Sequence, residues 1–195
     1  MERKQIQEQR IRGYFVQAAK DILRSEGLKG ISVRNVAQNA GYSYATLYNY
    51  FSDIRFLVFE CVRDFQEECD TFIAERVEGA APGIERLRAT SKAYLDYFVE
   101  YPGIFELFYL EKMSAYGNSK ETAELIYSYL DKLCENDWTV YSVKTKISDE
   151  LIDKLKDQLR YTLIGLLLFY LNRHYPGTYE EFIERSEKQL AYIWD

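Results

Sequence analysis

Residues 32–51, SVRNVAQNAGYSYATLYNYF, hold two short helical patterns on either side of a glycine. Ser32 is a good N-cap for a helix that carries Val33, Val36, Ala37 and Ala40 on its inner side, and Gly41 closes it. Ser43 caps again and opens a second helix from Tyr44 to about Tyr50. A glycine accepts the left-handed backbone that so tight a turn requires, and the small Ala37 lets two helices cross closely. The spacing predicts a helix-turn-helix, whose second helix is sized to enter a DNA major groove.

The helical period turns Leu47 and Phe51 inward and leaves Tyr44, Ala45, Thr46, Tyr48 and Asn49 outward. Tyr42, Tyr44, Tyr48 and Tyr50 crowd nine residues, and a two-turn helix cannot point all four into a core. Padding of an aromatic-rich interior is the alternative use for such tyrosines. Hydroxyl and amide groups on an outward helix face suit phosphates and base edges. The capped start of the helix adds free backbone N–H groups for a phosphate.

Outward from this stretch, helical spacing continues in both directions. Ile11, Phe15, Ala18, Ala19, Ile22 and Leu23 mark one face of a first helix over residues 5–26, ended by Gly27. Ser52 or Asp53 caps a long fourth helix with Val58, Cys61, Val62, Phe65, Cys69, Phe72 and Ile73 inside, up to the Gly79–Gly83 break. A fifth runs from Ile84 to Val99 and stops at Tyr101-Pro102, because proline disfavours helix in the residue before it. Pro102 then opens a sixth at its tolerated first-turn position, reaching Gly117-Asn118-Ser119.

Leu125 to Leu133 form a seventh helix, residues 135–148 read as a polar connection, and Asp149 to Arg173 form an eighth. The middle of the eighth, Leu159 to Leu171, is apolar on nearly every side and must be covered on more than one face. Tyr175-Pro176-Gly177 breaks it, and Tyr179, Phe182, Ile183, Ser186, Leu190 and Ile193 mark a ninth. The reading is an all-α chain of about nine helices: a three-helix helix-turn-helix head at 1–55 and a helical bundle at 56–195.

Composition supports this layout. Of 195 residues 47% are apolar, enough for a sizeable core, and only three prolines and ten glycines interrupt the chain. The net charge of −6 conceals an asymmetry: residues 1–57 hold nine Lys/Arg against five Asp/Glu, a net +4, which leaves −10 for the rest. A polyanion is attracted to the head and repelled by the remainder.

Cys61, Cys69 and Cys134 lack CxxC spacing and have only His174 to complete a metal site, so they read as buried thiols, with no metal or cofactor expected. His174 reads as a surface or capping residue. The N-terminus carries no signal-like apolar run, and Leu163–Leu171 is too short to span a bilayer, so no membrane contact and a cytoplasmic place are expected. No nucleophile elbow, phosphate loop or zinc spacing marks an enzyme.

The ordered run Ala18-Ala19, Glu26-Gly27, Ser32-Val33, Val36-Ala37, Ala40-Gly41, Ser43, Leu47-Tyr48, Tyr50-Phe51 and Leu57 resembles the head of the TetR family of transcriptional regulators. The resemblance covers about a quarter of the chain. It implies a homodimeric repressor on a palindromic operator, released when an unknown small-molecule effector binds the body. It further implies that Ser32, Thr46, Tyr48 and Tyr50 hold phosphates while Tyr44 and Ala45 face base edges. Two positions depart from the family pattern. Ile54 stands where a lysine usually contacts the DNA backbone, with Arg55 next in line, and Tyr50 replaces a common histidine. The DNA-facing candidates are thus Ser32, Tyr42, Ser43, Tyr44, Ala45, Thr46, Tyr48, Asn49, Tyr50 and Arg55.

In the body, Phe65, Phe98, Phe105, Phe108, Tyr127 and Tyr161 are candidates for an effector cavity, each with plain core as its other reading. Collectively they favour an apolar or amphipathic effector. Asp96, Glu100, Glu106 and Glu111 read as a solvated face, or as partners for a lipophilic cation. Leu163, Gly165, Leu167, Tyr170, Phe182 and Leu190, on the eighth and ninth helices, are candidates for pairing with a second copy in a four-helix interface. Other functions consistent with the sequence are an architectural or partner-binding TetR-like protein, and a helical small-molecule binder without DNA readout.

Overall fold

The computed structural model describes residues 2–110 and 119–194, and all regular structure among them is helical. The chain forms two compact units, Met1–Glu67 with Tyr101–Tyr127 and Glu68–Glu100 with Ser128–Asp195.

In the first unit, α1 (Glu2–Glu26) buries Phe15, Ala19 and Leu23 along one stripe and ends at Gly27, whose positive φ of 69° closes the helix. After a 3-10 turn at Leu28–Gly30, α2 (Val33–Asn39) begins at Ser32, whose Oγ accepts the Asn35 amide at 3.1 Å. Gly41, at φ 76°, makes the turn into α3 (Tyr44–Tyr50), where Ser43 Oγ accepts the Thr46 amide at 3.1 Å. Both caps are those read from the sequence. Asp53 caps α4 (Ile54–Arg76) by accepting the Arg55 amide at 2.9 Å. This helix starts in the first unit and continues into the second.

Pro102 opens α6 (Pro102–Phe105), which continues as a π-helical turn over Glu106–Leu110. Gly103 explains how α6 docks on α1: a Cβ there would lie 3.1 Å from the Leu23 carbonyl oxygen and 3.2 Å from that of Arg24. The expected end of the sixth helix at Gly117-Asn118, and Glu111, lie outside the described residues. α7 (Ser119–Tyr127) returns to the unit, and the Gln66 side chain donates to the Leu125 carbonyl at 3.2 Å.

The second unit holds α5 (Ile84–Glu100), α8 (Tyr129–Leu133), α9 (Glu135–Thr145), α10 (Asp149–Arg173) and α11 (Tyr179–Trp194). α10 packs along α11 and against α5, while α9 lies on α5. Arg160, buried on α10, is paired with Asp131 of α8 and with Asp157 at 2.5 Å. His174 takes the left-handed conformation at φ 50° and caps α10.

Three details differ from the sequence reading. The expected seventh helix is divided into α7 and α8. Residues 135–148, read as a connection, are mostly the helix α9. Its β-branched Thr139, Val140, Val143 and Thr145 weaken the helical signal, and Asp137 and Trp138 are buried without a continuing apolar stripe. Asp137 accepts the Gly83 amide at 3.0 Å, and Trp138 packs on Trp194 with ring centroids 5.5 Å apart. Finally, α10 is only partly covered in a single chain: Leu159, Leu163 and Leu167 are buried, but Tyr161, Leu168 and Phe169 are exposed.

Candidate nucleic-acid interface

Leu47 is wholly buried beneath α3 and Phe51 nearly so, and this anchoring decides which way the rest of the helix faces. Tyr44 and Tyr48, one turn apart, stand 66% and 53% exposed, with Ala45 and Asn49 exposed beside them. Thr46 is half-buried because its hydroxyl lies 2.8 Å from Ser43 Oγ, in addition to its capped amide. The four tyrosines therefore divide. Tyr44 and Tyr48 reach out, whereas Tyr42 and Tyr50 lean on Phe15 with ring centroids 5.4 and 5.9 Å away.

Ser32 is exposed at the start of α2 with its Oγ engaged as a cap. Arg55 is exposed at the start of α4, and its Nε lies 2.7 Å from Asp53 Oδ2. The cation next to the family's lysine position is thus held by a neighbouring carboxylate. Two residues outside the sequence-read set also adjoin α3. Tyr14, on α1, is exposed and stacks on Tyr42 with centroids 6.3 Å apart. Arg12, also on α1, donates from Nη1 to the Tyr50 carbonyl at 2.9 Å. Tyr14 carries the one readable signal, an aromatic off the apolar stripe of its helix.

The candidates in the body are distributed. Phe65, Phe105, Phe108 and Tyr127 belong to the first unit, Phe98 and Tyr161 to the second. The four phenylalanines are buried and the two tyrosines exposed. Among the acidic candidates, Asp96 accepts the Tyr179 hydroxyl at 2.5 Å, and burial with this bond pushes the Tyr179 hydroxyl up to about 12.

Of the residues read as a pairing surface, Leu163, Leu167, Phe182 and Leu190 fill the chain's own core, and Tyr170 stacks on Phe182 at 4.3 Å. On α10, Tyr161, Leu168 and Phe169 are exposed instead, in the stretch that contains Gly165. A groove of about 410 Å³ there is lined by Tyr161, Gly165, Phe169, Tyr175, Arg185 and Gln189. The three cysteines are buried and unpaired with one another, and no cluster of metal-binding side chains occurs among the described residues. No helix among the described residues is long and apolar enough to cross a membrane.

A capped two-turn helix with an exposed polar face, set on a second short helix by a glycine turn and carried on a basic segment, defines a helix-turn-helix head. Residues 15–61 match the family model of the bacterial regulatory proteins of the tetR family. The head of the chain is thus that of the tetR family.

Solved structures agree in fold over nearly the whole length. A TetR-family transcriptional regulator from Syntrophomonas wolfei is 16% identical with a TM-score of 0.74, covering 96% of each chain. One from Shewanella is 14% identical with a TM-score of 0.71, covering 94% of this chain and 96% of that one. One from Marinobacter aquaeolei is 19% identical with a TM-score of 0.64, covering 96% of each. No curated protein matches the sequence.

Proposed function

We propose that the chain is a sequence-specific DNA-binding transcriptional regulator that acts as a homodimer on a palindromic operator. The observation that carries this reading is the outward stance of Tyr44 and Tyr48 on a helix pinned by the buried Leu47. Tyr44 and Ala45 address base edges; Ser32, Tyr42, Ser43, Thr46, Tyr48, Asn49, Tyr50 and Arg55 hold or flank the phosphate backbone. The net +4 of residues 1–57 draws the head to DNA, and the acidic remainder keeps the body away.

Two copies pair through the exposed apolar strip of α10, and each head takes one half-site of an operator whose half-sites lie about one DNA turn, roughly 34 Å, apart. The regulator is a repressor whose operator affinity falls when an apolar or amphipathic small molecule binds the aromatic-rich body, which requires the effector to bind two conformations unequally. No catalytic step is part of this reading.

A mobility-shift titration tests it. On the DNA upstream of its own coding region the protein gives a discrete complex that unrelated duplex does not compete away. Tyr44→Ala relaxes the base preference, and Tyr48→Phe weakens all sequences evenly. Equal shifts on every duplex favour an architectural role, and no shift at low salt refutes DNA binding.

A further inference from the structure

Arg12 connects three helices of the head. From α1, its Nη1 donates to the carbonyl of Tyr50, the last residue of α3. Its Nη2 is paired with the Glu60 carboxylate on α4, and its guanidinium carbon lies 4.2 Å from the centre of the Phe51 ring. A helix leaves its last carbonyls without intrahelical partners and its C-terminal end partly negative, so a cation there both satisfies the backbone and is attracted to it. Phe51 is buried, which fixes the plane on which the guanidinium rests. The fork of donors lets one side chain hold the end of α3 and the flank of α4 at once, which a single ammonium cannot do.

Two further cations of α1 meet α4 away from the end of α3. Lys20 pairs with Asp64 at 3.2 Å, and Lys20 and Arg24 lie over the Phe65 ring at 5.6 and 5.1 Å. These hold α1 to α4 about two to three turns past Arg12 on α1 and about one turn past Glu60 on α4. Arg12 sits at the end of α3, in the wall of an open polar cleft of about 650 Å³ that Gln5, Glu8, Gln9, Asn49 and Tyr50 also line.

We infer that Arg12 is a positioning residue for DNA recognition: oriented by Glu60, it fixes the angle of α3, so that α3 reads bases in a register set by α4. Arg12 itself contacts no DNA in this account. The inference rests on the reading of α3 as the recognition helix. It separates two effects that a mutation scan of the head would otherwise merge. A phosphate-binding arginine contributes to all duplexes alike, whereas a residue that aims the recognition helix contributes only where bases are read.

The test measures full-length protein on an operator selected from random duplexes and on unrelated duplex, with melting temperatures taken in parallel. Arg12→Gln, Arg12→Lys and Glu60→Gln should each lower operator affinity on the order of tenfold, as loss of a charge-assisted bond implies. Affinity for unrelated duplex should stay within about twofold, with an unchanged salt slope. Arg12→Gln/Glu60→Gln should bind no more weakly than Arg12→Gln alone, because Glu60 acts through Arg12.

Equal losses on both duplexes with a shallower salt slope would make Arg12 a phosphate contact and overturn the inference. So would additive losses in the double variant, or a lowered melting temperature with operator affinity intact. Should Arg12→Gln fail to fold, Glu60→Gln alone decides by the same two affinities. If the unaltered protein retains no duplex at all, the DNA-binding reading fails first and this inference falls with it.

Discussion

Arg55 Nε stands 2.7 Å from Asp53 Oδ2, while the Arg55 amide donates to Oδ1 of the same carboxylate at 2.9 Å. One aspartate both caps α4 and restrains the cation closest to the family's usual lysine position, here Ile54. Asparagine caps a helix about as well as aspartate but carries no charge. Asp53→Asn should therefore leave thermal stability nearly unchanged, tighten DNA binding and steepen its dependence on log salt by about 0.9, as one released phosphate-binding cation predicts. Arg55→Ala added to Asp53→Asn should return the slope to that of the unaltered protein. Anisotropy titrations at several salt concentrations measure both slopes; parallel lines for all three proteins would remove Arg55 from the interface.

Phe169, 59% exposed on α10, belongs to the apolar strip assigned to pairing. A charge there cannot be buried against a second copy without several kcal/mol of penalty. Phe169→Glu should convert the protein to a monomer in light scattering at micromolar concentration. Its affinity for a palindromic operator should drop by roughly 100-fold or more, since each head then binds independently. A variant that stays dimeric would place the interface elsewhere.

Gly103 faces the backbone oxygens of Leu23 and Arg24, which cannot rotate aside as a side chain can. Gly103→Ala should lower stability by about 1–3 kcal/mol, the usual cost of overpacking, seen as a fall in melting temperature of several degrees. An unchanged melting temperature would show that α6 docks on α1 with slack.

Much of this was legible in the sequence because local chemistry governs the head. The glycines with positive φ and the Ser32 and Ser43 caps act within four residues, so their patterns survive in one dimension. Tyr42 and Tyr50 were not separable from Tyr44 and Tyr48 that way: which tyrosines lean on Phe15 depends on how α1 crosses the pair. Arg12 was invisible for the same reason, since its partners Tyr50 and Glu60 lie 38 and 48 residues away. In the body, periodicity identified α10 and α11 but could not tell which apolar face stays inside. Leu163 and Phe182 face inward and Phe169 outward, and only packing decides that.

Burial raises all three thiols above their ordinary value of 9.0, with Cys69 pushed up to about 12 despite its hydrogen bond with Tyr129. A thiol that stays protonated in the native state but ionises when unfolded contributes stability that is complete below pH about 9. That contribution is lost as pH rises from 9 through 12. Denaturant midpoints should thus decline from about pH 9 upward, and Cys69→Ser should alter that slope. A disulfide-based thiol reagent at pH 8 should label no cysteine until the protein is unfolded; rapid labelling of the native protein would contradict the burial.

The most direct test of the central claim is selection of bound duplexes from a random pool by the full-length protein at moderate salt. The account predicts enrichment of one palindrome with half-sites about one helical turn apart, and loss of base preference at symmetric positions in Tyr44→Ala. A pool that emerges without a shared sequence, or a preference that Tyr44→Ala leaves intact, would contradict α3 as the helix that reads DNA.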